Sequence, residues 1–294
     1  MGKPKIIAVV GPNAAGKSAL AVRLAKKFNG EIISADSRQV YQGLNIGTGK
    51  ISKKEMGGVR HHLLNVASPR QQFTVARYQK LAGLALKNIL VRRKLPIICG
   101  GTGFYIQVIT DNLKLPPVKP VLELREKLER KTTKELAEIL EKLDSRRAKT
   151  IDRKNRRRLI RAIEIAKQLG TIPSLKKTET RFNVLKLGVK IAPVELRQKI
   201  KRRLRQRLDA GLINEVRKLH QKGISWKRFD ELGLEYRYVS YYLRGELTRE
   251  EMIKKLETAI WHYAKRQMTW FKKDKEIRWI KNYRQAERLV SDFL

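Results

Sequence analysis

The 294-residue sequence has a single cysteine, Cys99. No internal disulfide can form, and multi-cysteine zinc sites and zinc fingers are excluded, which leaves oxygen donors for any metal. Cys99 itself lies in an apolar run, where a small core residue is expected. Acidic residues are scarce: 28 Asp plus Glu stand against 67 Lys plus Arg, a formal net charge of +39. Solubility does not require so large an excess, which points to a polyanionic partner, nucleic acid ahead of an anionic membrane surface. Long hydrophobic runs are missing too. The longest uncharged run, Leu95 to Thr110, has 16 residues broken by Pro96, Gly100, Gly101 and Gly103, too short for a bilayer span. The opening Met1-Gly2-Lys3-Pro4-Lys5 carries no apolar signal core, and Ile6 stands where N-myristoylation needs Ser or Thr. A cytoplasmic protein with no membrane association is expected. No internal repeat or low-complexity tract occurs.

What is present suits a folded chain: 41% hydrophobic residues and 19 glycines over a length that allows a core plus a smaller domain. Ile6 to Val10 reads as a strand ending in a glycine-rich turn, after which Ala19, Leu20, Val22, Leu24 and Ala25 continue with helical spacing. Glu31 to Ala35 and Leu95 to Cys99 read as further strands, with a helix at about 75–92 between them. Strands alternating with helices imply a parallel sheet whose sites lie at the carboxyl ends of the strands. After Asp111 the character changes. Leu115-Pro116-Pro117-Val118-Lys119-Pro120 is a stiff connection, followed by a charged helix over 121–143, a second basic helix over 155–169 and the polar segment Lys176 to Asn183. Val184 to Ile191 alternates as a strand and returns the chain to the sheet, and helices fill the remainder. The fold class expected is α/β, a P-loop NTPase-like parallel sheet core flanked by helices (1–113 and 182–294) with a helical insertion domain (114–181).

Gly11-Pro12-Asn13-Ala14-Ala15-Gly16-Lys17-Ser18 fits G-x-x-x-x-G-K-[ST] between a strand and a helix. In such a loop backbone N–H groups converge on phosphate oxygens, Lys17 supplies a point charge and Ser18 can ligate Mg²⁺. The ligand therefore carries at least a diphosphate. Asp36 follows the second strand, where a carboxylate serves as metal ligand, general base or cap. Thr102, in Gly100-Gly101-Thr102-Gly103, is either a phosphate donor or part of a tight turn. Arg153, Arg157 and Arg161 recur at i, i+4, i+8 and would line one helix face. From Leu196 to Leu208 there are seven cations and no acid, while Leu196, Ile200, Leu204 and Leu208 keep an apolar stripe. Unneutralised like charges at helical spacing repel, which favours an anionic ligand for that helix. His61-His62 suits a hydrogen-bonding role better than a metal site. Trp226, Trp261, Trp270 and Trp279 are expected mostly in the core.

These motifs occur in an order that resembles one family. The phosphate loop is followed by Ser34-Ala35-Asp36-Ser37-Arg38-Gln39-Val40-Tyr41, Asn45-Ile46-Gly47-Thr48-Gly49-Lys50 and Ile98-Cys99-Gly100-Gly101-Thr102-Gly103-Phe104-Tyr105. Then come Asn155-Arg156-Arg157-Arg158-Leu159-Ile160-Arg161-Ala162-Ile163-Glu164 and Ala264-Lys265-Arg266-Gln267-Met268-Thr269-Trp270. Together they resemble the tRNA dimethylallyltransferases, also called tRNA isopentenyltransferases. The resemblance implies transfer of a dimethylallyl group from dimethylallyl diphosphate to N6 of the adenosine 3′ of the anticodon, forming N6-isopentenyladenosine. It implies Asp36 as the base, Thr102 at the pyrophosphate, and Arg203 in productive diphosphate binding beside Lys17. It also implies tRNA contacts at Asp36, Ser37, Arg38, Gln39 and Thr102 and at Arg157, Arg158, Leu159, Ile160 and Arg161, with the insertion gripping the anticodon stem-loop. Mg²⁺ near Ser18 and a monomeric state complete the expectation. The sequence departs from the family pattern at Leu232-Gly233-Leu234-Glu235-Tyr236-Arg237, at Trp261, where arginine is frequent, and at Asn65, where aspartate is usual.

Overall fold

The computed structural model describes residues 2–175 and 178–294; Met1, and Lys176 and Lys177 of the expected polar segment, lie outside the described residues. The chain divides into two compact units, Met1–Asn112 with Glu179–Leu294, and Leu113–Thr178.

In the first unit, β1 (Lys5–Val10) is apolar and buried from Ile6 onward, as a central parallel strand covered on both faces must be. The loop after it leads into α1 (Lys17–Lys27), then β2 (Gly30–Ser34), the short α2 (Lys53–Met56), β3 (His61–His62), α3 (Val75–Val91), β4 (Leu95–Gly100) and α4 (Gly103–Thr110). Thr74 caps α3 by accepting from the Arg77 N–H.

The second unit holds α5 (Leu122–Glu129), α6 (Thr133–Leu143), α7 (Ser145–Thr150) and α8 (Arg156–Leu169) around its own apolar cluster, with Leu136, Leu140, Leu159 and Ile163 fully buried. The single helix expected over 121–143 is two. Thr132 Oγ1 accepts from the Glu135 N–H at 3.2 Å and the Glu135 carboxylate accepts from the Thr132 N–H at 2.7 Å, a capping box that restarts the helix. Arg153 does not share a helix face with Arg157 and Arg161. Asn155 caps α8, so Arg153 lies outside it and bonds Glu141 at 2.7 Å and the Ala148 carbonyl at 3.2 Å.

The chain returns through β5 (Asn183–Val189), α9 (Pro193–Asp209), α10 (Leu212–Gln221), α11 (Trp226–Leu232), α12 (Leu234–Leu243), α13 (Arg249–Phe271), β6 (Arg278–Ile280) and α14 (Tyr283–Phe293). The last stretch is thus not all helical, because β6 covers the otherwise open edge of β5. Among the described residues the sheet has the order β3-β2-β4-β1-β5-β6 with every pairing parallel. Ile7, Val9, Ile97, Leu185 and Leu187 pack with α1 and α14 residues on one face. The tryptophans sit at the margins of the core rather than inside it: Trp226, Trp261 and Trp279 are half-buried, Trp261 against the α9–α13 cluster, and Trp270 is 40% exposed. His62 Nε2 meets Glu31 Oε2 at 2.7 Å, the hydrogen-bonding role expected. No described helix is long and apolar enough to cross a membrane.

Candidate active site

Val10 and Gly100 are level in the β1–β4 register, and Ser34 pairs with Cys99. The turns after β1, β2 and β4 therefore emerge side by side at the carboxyl edge of the sheet. In the phosphate loop Ala14 and Gly16 take positive φ of 65° and 89°, the alternation that turns successive amides into an anion-binding nest. α1 has no side-chain cap and no acid in its first turn, so its positive end is left for an anion. Lys17 Nζ donates to the Pro12 carbonyl at 2.6 Å. Burial lowers its pKa to about 8, with the Arg203 charge acting in the same sense and Cys99 and Asp36 opposing it. Lys17, Asp36 and Arg203 thus share one electrostatic environment. Burial also pushes the Cys99 thiol up to about 11, so this cysteine is the apolar backing expected of it.

Asp36 Oδ1 accepts from the Arg38 N–H at 2.8 Å and the Gln39 N–H at 3.3 Å. The cap is real but uses one oxygen; Oδ2 accepts no hydrogen bond among the described residues. Thr102 Oγ1 accepts from the Ser37 N–H at 3.0 Å and keeps its proton to donate. The Thr102 N–H donates to the Ala35 carbonyl at 3.1 Å, and a Cβ at Gly100 would collide with that carbonyl, so the two turns meet only because position 100 is glycine. Arg203 lies on the exposed side of α9, with its guanidinium among Arg207, Glu55 and Glu235. Partial desolvation of that head group and the charge of Arg207 lower its pKa.

With this arrangement in hand, the comparisons with known proteins are decisive. The IPP transferase family model matches residues 39–274. The chain belongs to this family. A tRNA dimethylallyltransferase 2 of Trichlorobacter lovleyi is 43% identical over 268 residues, 91% of this chain and 88% of that one. The full-length tRNA isopentenylpyrophosphate transferase of Bacillus halodurans matches with a TM-score of 0.74 and 35% identity, covering 99% of this chain and 95% of that one. A eukaryotic dimethylallyltransferase crystallised acting on tRNA matches with a TM-score of 0.81 and 26% identity, covering 99% and 77%. The α/β fold is thus the fold of solved transferases of this family.

Several further polar residues surround this family site. Glu215 of α10 accepts from the Asn45, Ile46 and Gly47 N–H groups at 3.0, 2.8 and 3.0 Å and from the Tyr236 hydroxyl at 2.8 Å. It holds the segment Asn45–Lys50, whose Gly47 carbonyl also accepts from Arg207 at 3.1 Å. Arg207 pairs with Glu235 at 2.6 Å, so the divergent segment around Glu235 and Tyr236 anchors this loop. Lys50 Nζ is saturated by the Tyr41 carbonyl, Asn45 Oδ1 and Asn65 Oδ1 at 2.7, 3.1 and 2.5 Å. Burial lowers its pKa to about 8; Asn65 accepts from it without neutralising it. The Tyr263 phenol of α13 is pushed up to about 12 by burial and by Asp36. Gln267 bridges the phosphate loop and the Gly101 turn. Lys50 and Gln267 lie within family motifs that assign them no role, and Glu215 lies outside every motif.

In the insertion, the segment expected to touch tRNA divides by burial. Leu159 and Ile160 pack in the cluster at 0% and 7% exposure, so their side chains do not present to a partner. Arg157 and Arg158 are exposed. Arg161 donates to the Val118 carbonyl at 2.8 Å and reaches Glu164 at 3.3 Å.

Proposed function

We propose that this prenyltransferase, a tRNA dimethylallyltransferase by family, moves the dimethylallyl group of dimethylallyl diphosphate to N6 of the adenosine 3′ of the anticodon. The observation that carries this reading is the convergence of a phosphate-binding loop, a cation pair and a half-free carboxylate at one sheet edge. The loop amides and Lys17 hold the diphosphate, Arg203 faces its developing charge, and Thr102 donates to it. The exocyclic amine is a weak nucleophile because its lone pair is delocalised into the ring. As N6 attacks the prenyl C1, the C1–O bond breaks, its electron pair leaves with diphosphate, and the N6 proton passes to Asp36 Oδ2. The target base leaves its stack to reach the site, with Ser37, Arg38 and Gln39 beside it and the insertion arginines on the stem-loop backbone.

Among the described residues no cluster of three or more His, Cys, Asp or Glu is placed to hold a metal. Ser18, exposed in the first turn of α1, offers a hard hydroxyl oxygen that suits Mg²⁺, a cation that completes its shell with water and substrate phosphates. Bound there, Mg²⁺ would add to the neutralisation of the leaving group. We assign the chain as a monomer working in the cytoplasm.

The test is incubation with unmodified tRNA, Mg²⁺ and dimethylallyl diphosphate, with ATP in a parallel tube, followed by nucleoside mass spectrometry. One added C5H8 unit on adenosine with the prenyl donor alone is the expected result. ATP turnover with no such gain would replace this reading with a kinase or NTPase.

A further inference from the structure

Gln267 is only 5% exposed, and its amide lies between the phosphate loop and the turn that carries Thr102. Oε1 accepts from the Asn13 N–H of the phosphate loop at 2.8 Å; Nε2 donates to the Gly101 carbonyl at 2.9 Å and to Asn13 Oδ1 at 3.3 Å. The two backbone partners fix the amide's orientation, since an N–H requires the oxygen and a carbonyl requires the NH₂. A Cβ at Gly101 would collide with this amide, so no other atom separates the side chain from the turn. Gly101 leads directly to Thr102, whose Oγ1 accepts from the Ser37 N–H at 3.0 Å. Hydrogen bonds on either side of the Gly101–Thr102 peptide thus connect the loop that holds the diphosphate, through Gln267, to the turn that carries Asp36.

We infer that Gln267 is a positioning residue that sets the place of the diphosphate loop relative to Asp36, acting through the Gly101–Thr102 turn. This rests on the prenyl-transfer reading above. In-line displacement demands that the attacking nitrogen, the prenyl carbon and the leaving oxygen be aligned within a fraction of an ångström. The two turns have no covalent link shorter than the intervening strands and helices. Gln267 spans that gap with one rigid planar group, buried where water cannot replace a lost bond cheaply. It touches no reacting atom, so its loss should lower the rate at saturation and leave tRNA affinity alone.

The experiment compares wild type, Gln267→Met and Gln267→Glu in single-turnover prenyl transfer at saturating tRNA and dimethylallyl diphosphate, from mildly acidic to mildly alkaline pH, with melting curves alongside. Gln267→Met removes both bonds and should lower the saturating rate by about a hundredfold, in a protein still folded at the assay temperature. Gln267→Glu keeps an acceptor for the Asn13 N–H; when ionised it offers no donor to the Gly101 carbonyl, and when protonated it does. Burial raises the pKa of such a carboxyl, so the ratio of the Gln267→Glu rate to the wild-type rate should rise as pH falls, which a general loss of stability would not produce. A Gln267→Met rate within about twofold of wild type, or a ratio that stays flat with pH, overturns the inference while leaving prenyl transfer intact. Absence of transfer by the wild-type chain overturns both.

Discussion

The carboxyl edge of the sheet and helix α8 of the insertion are both dense in charge, but they treat it in opposite ways. On the inward side of α8 the charge is consumed internally. Glu164, with no exposed surface, accepts from Arg125 at 2.6 and 2.9 Å, from Arg161 at 3.3 Å and from the Val121 N–H at 3.3 Å. Arg156 donates to the carbonyls of Leu128, Glu129 and Lys131. At the sheet edge the groups are held but not saturated among the described residues: Asp36 keeps one oxygen free, Thr102 keeps its hydroxyl proton, and Arg203 has no hydrogen-bond partner. A saturated charge builds structure, whereas one left with spare bonding capacity in a fixed position is ready for substrate.

Removing a member of each set should separate these roles. Asp36→Ala has the largest expected effect, a fall in transfer of about 10²- to 10⁴-fold with tRNA binding largely retained; single-turnover kinetics beside a filter-binding isotherm would show it, and a normal rate removes Asp36 as base. Arg203→Ala follows, with transfer lowered by about 10²- to 10³-fold as one preorganised cation facing the leaving group is lost. If the same variant instead lowers tRNA affinity with the saturating rate unchanged, Arg203 belongs with the surface cations.

On the saturated side, Glu164→Ala should cost the insertion about 3 kcal/mol, because Arg125 and Arg161 lose their shared carboxylate. Amide exchange would report this as faster opening of α5 and α8 with protection of β1 and β4 unchanged. The sign with pH is fixed by the same contacts. Burial works against the Glu164 charge, but Arg125, Arg161 and the Val121 N–H overcome it and hold the carboxyl below its ordinary 4.5. Its contribution is therefore present above that value and lost as pH falls through the lowered one. The gap between wild type and variant should close in acid.

Much of the sheet edge was legible because its signals are local. The phosphate loop, the strand before it and the alternation of strands and helices lie in short windows of sequence, as does the sheet position of Asp36 and Thr102. What could not be read depends on distant partners. Gln267 meets Asn13 across 254 residues, and Glu215 meets Asn45 across 170. β3 and β6, of two and three residues, are too short to show alternation and exist because a neighbouring strand offers an edge. The break between α5 and α6 was different: Thr132-Thr133-Lys134-Glu135 spells the capping box, but the charged helical pattern on either side masks it.

The unliganded Lys17 gives a smaller effect. Its amine is charged below about pH 8, so diphosphate binding needs no proton from it there. Above that pH each binding event must draw a proton onto Lys17, and affinity should fall by at most about tenfold per pH unit. Calorimetry with inorganic pyrophosphate in two buffers of different ionisation enthalpy counts that proton. Lys17→Arg, charged throughout, should show none of the uptake assigned to the lysine.

The smallest effect tests whether α9 continues the contrast on its outer face. The structure supplies carboxylates to two of its seven cations: Arg207 pairs with Glu235 at 2.6 Å and Lys199 with Glu195 at 2.7 Å. Arg197, Lys201 and Arg205 recur every four residues, are exposed, and have no ion-pair partner among the described residues. Leu196, Ile200 and Leu204 bury the neighbouring stripe at 4, 2 and 2% exposure, so the row is anchored without being neutralised. If it meets the tRNA backbone, Lys201→Ala and Arg205→Ala should each reduce the slope of log affinity against log salt by about 0.7 to 0.9. The saturating transfer rate and the melting temperature should stay at wild-type values, because neither side chain holds the fold or touches the reacting groups. An unchanged slope would make the row a solvated face, and the RNA footprint would then rest on the sheet edge and on Arg157 and Arg158.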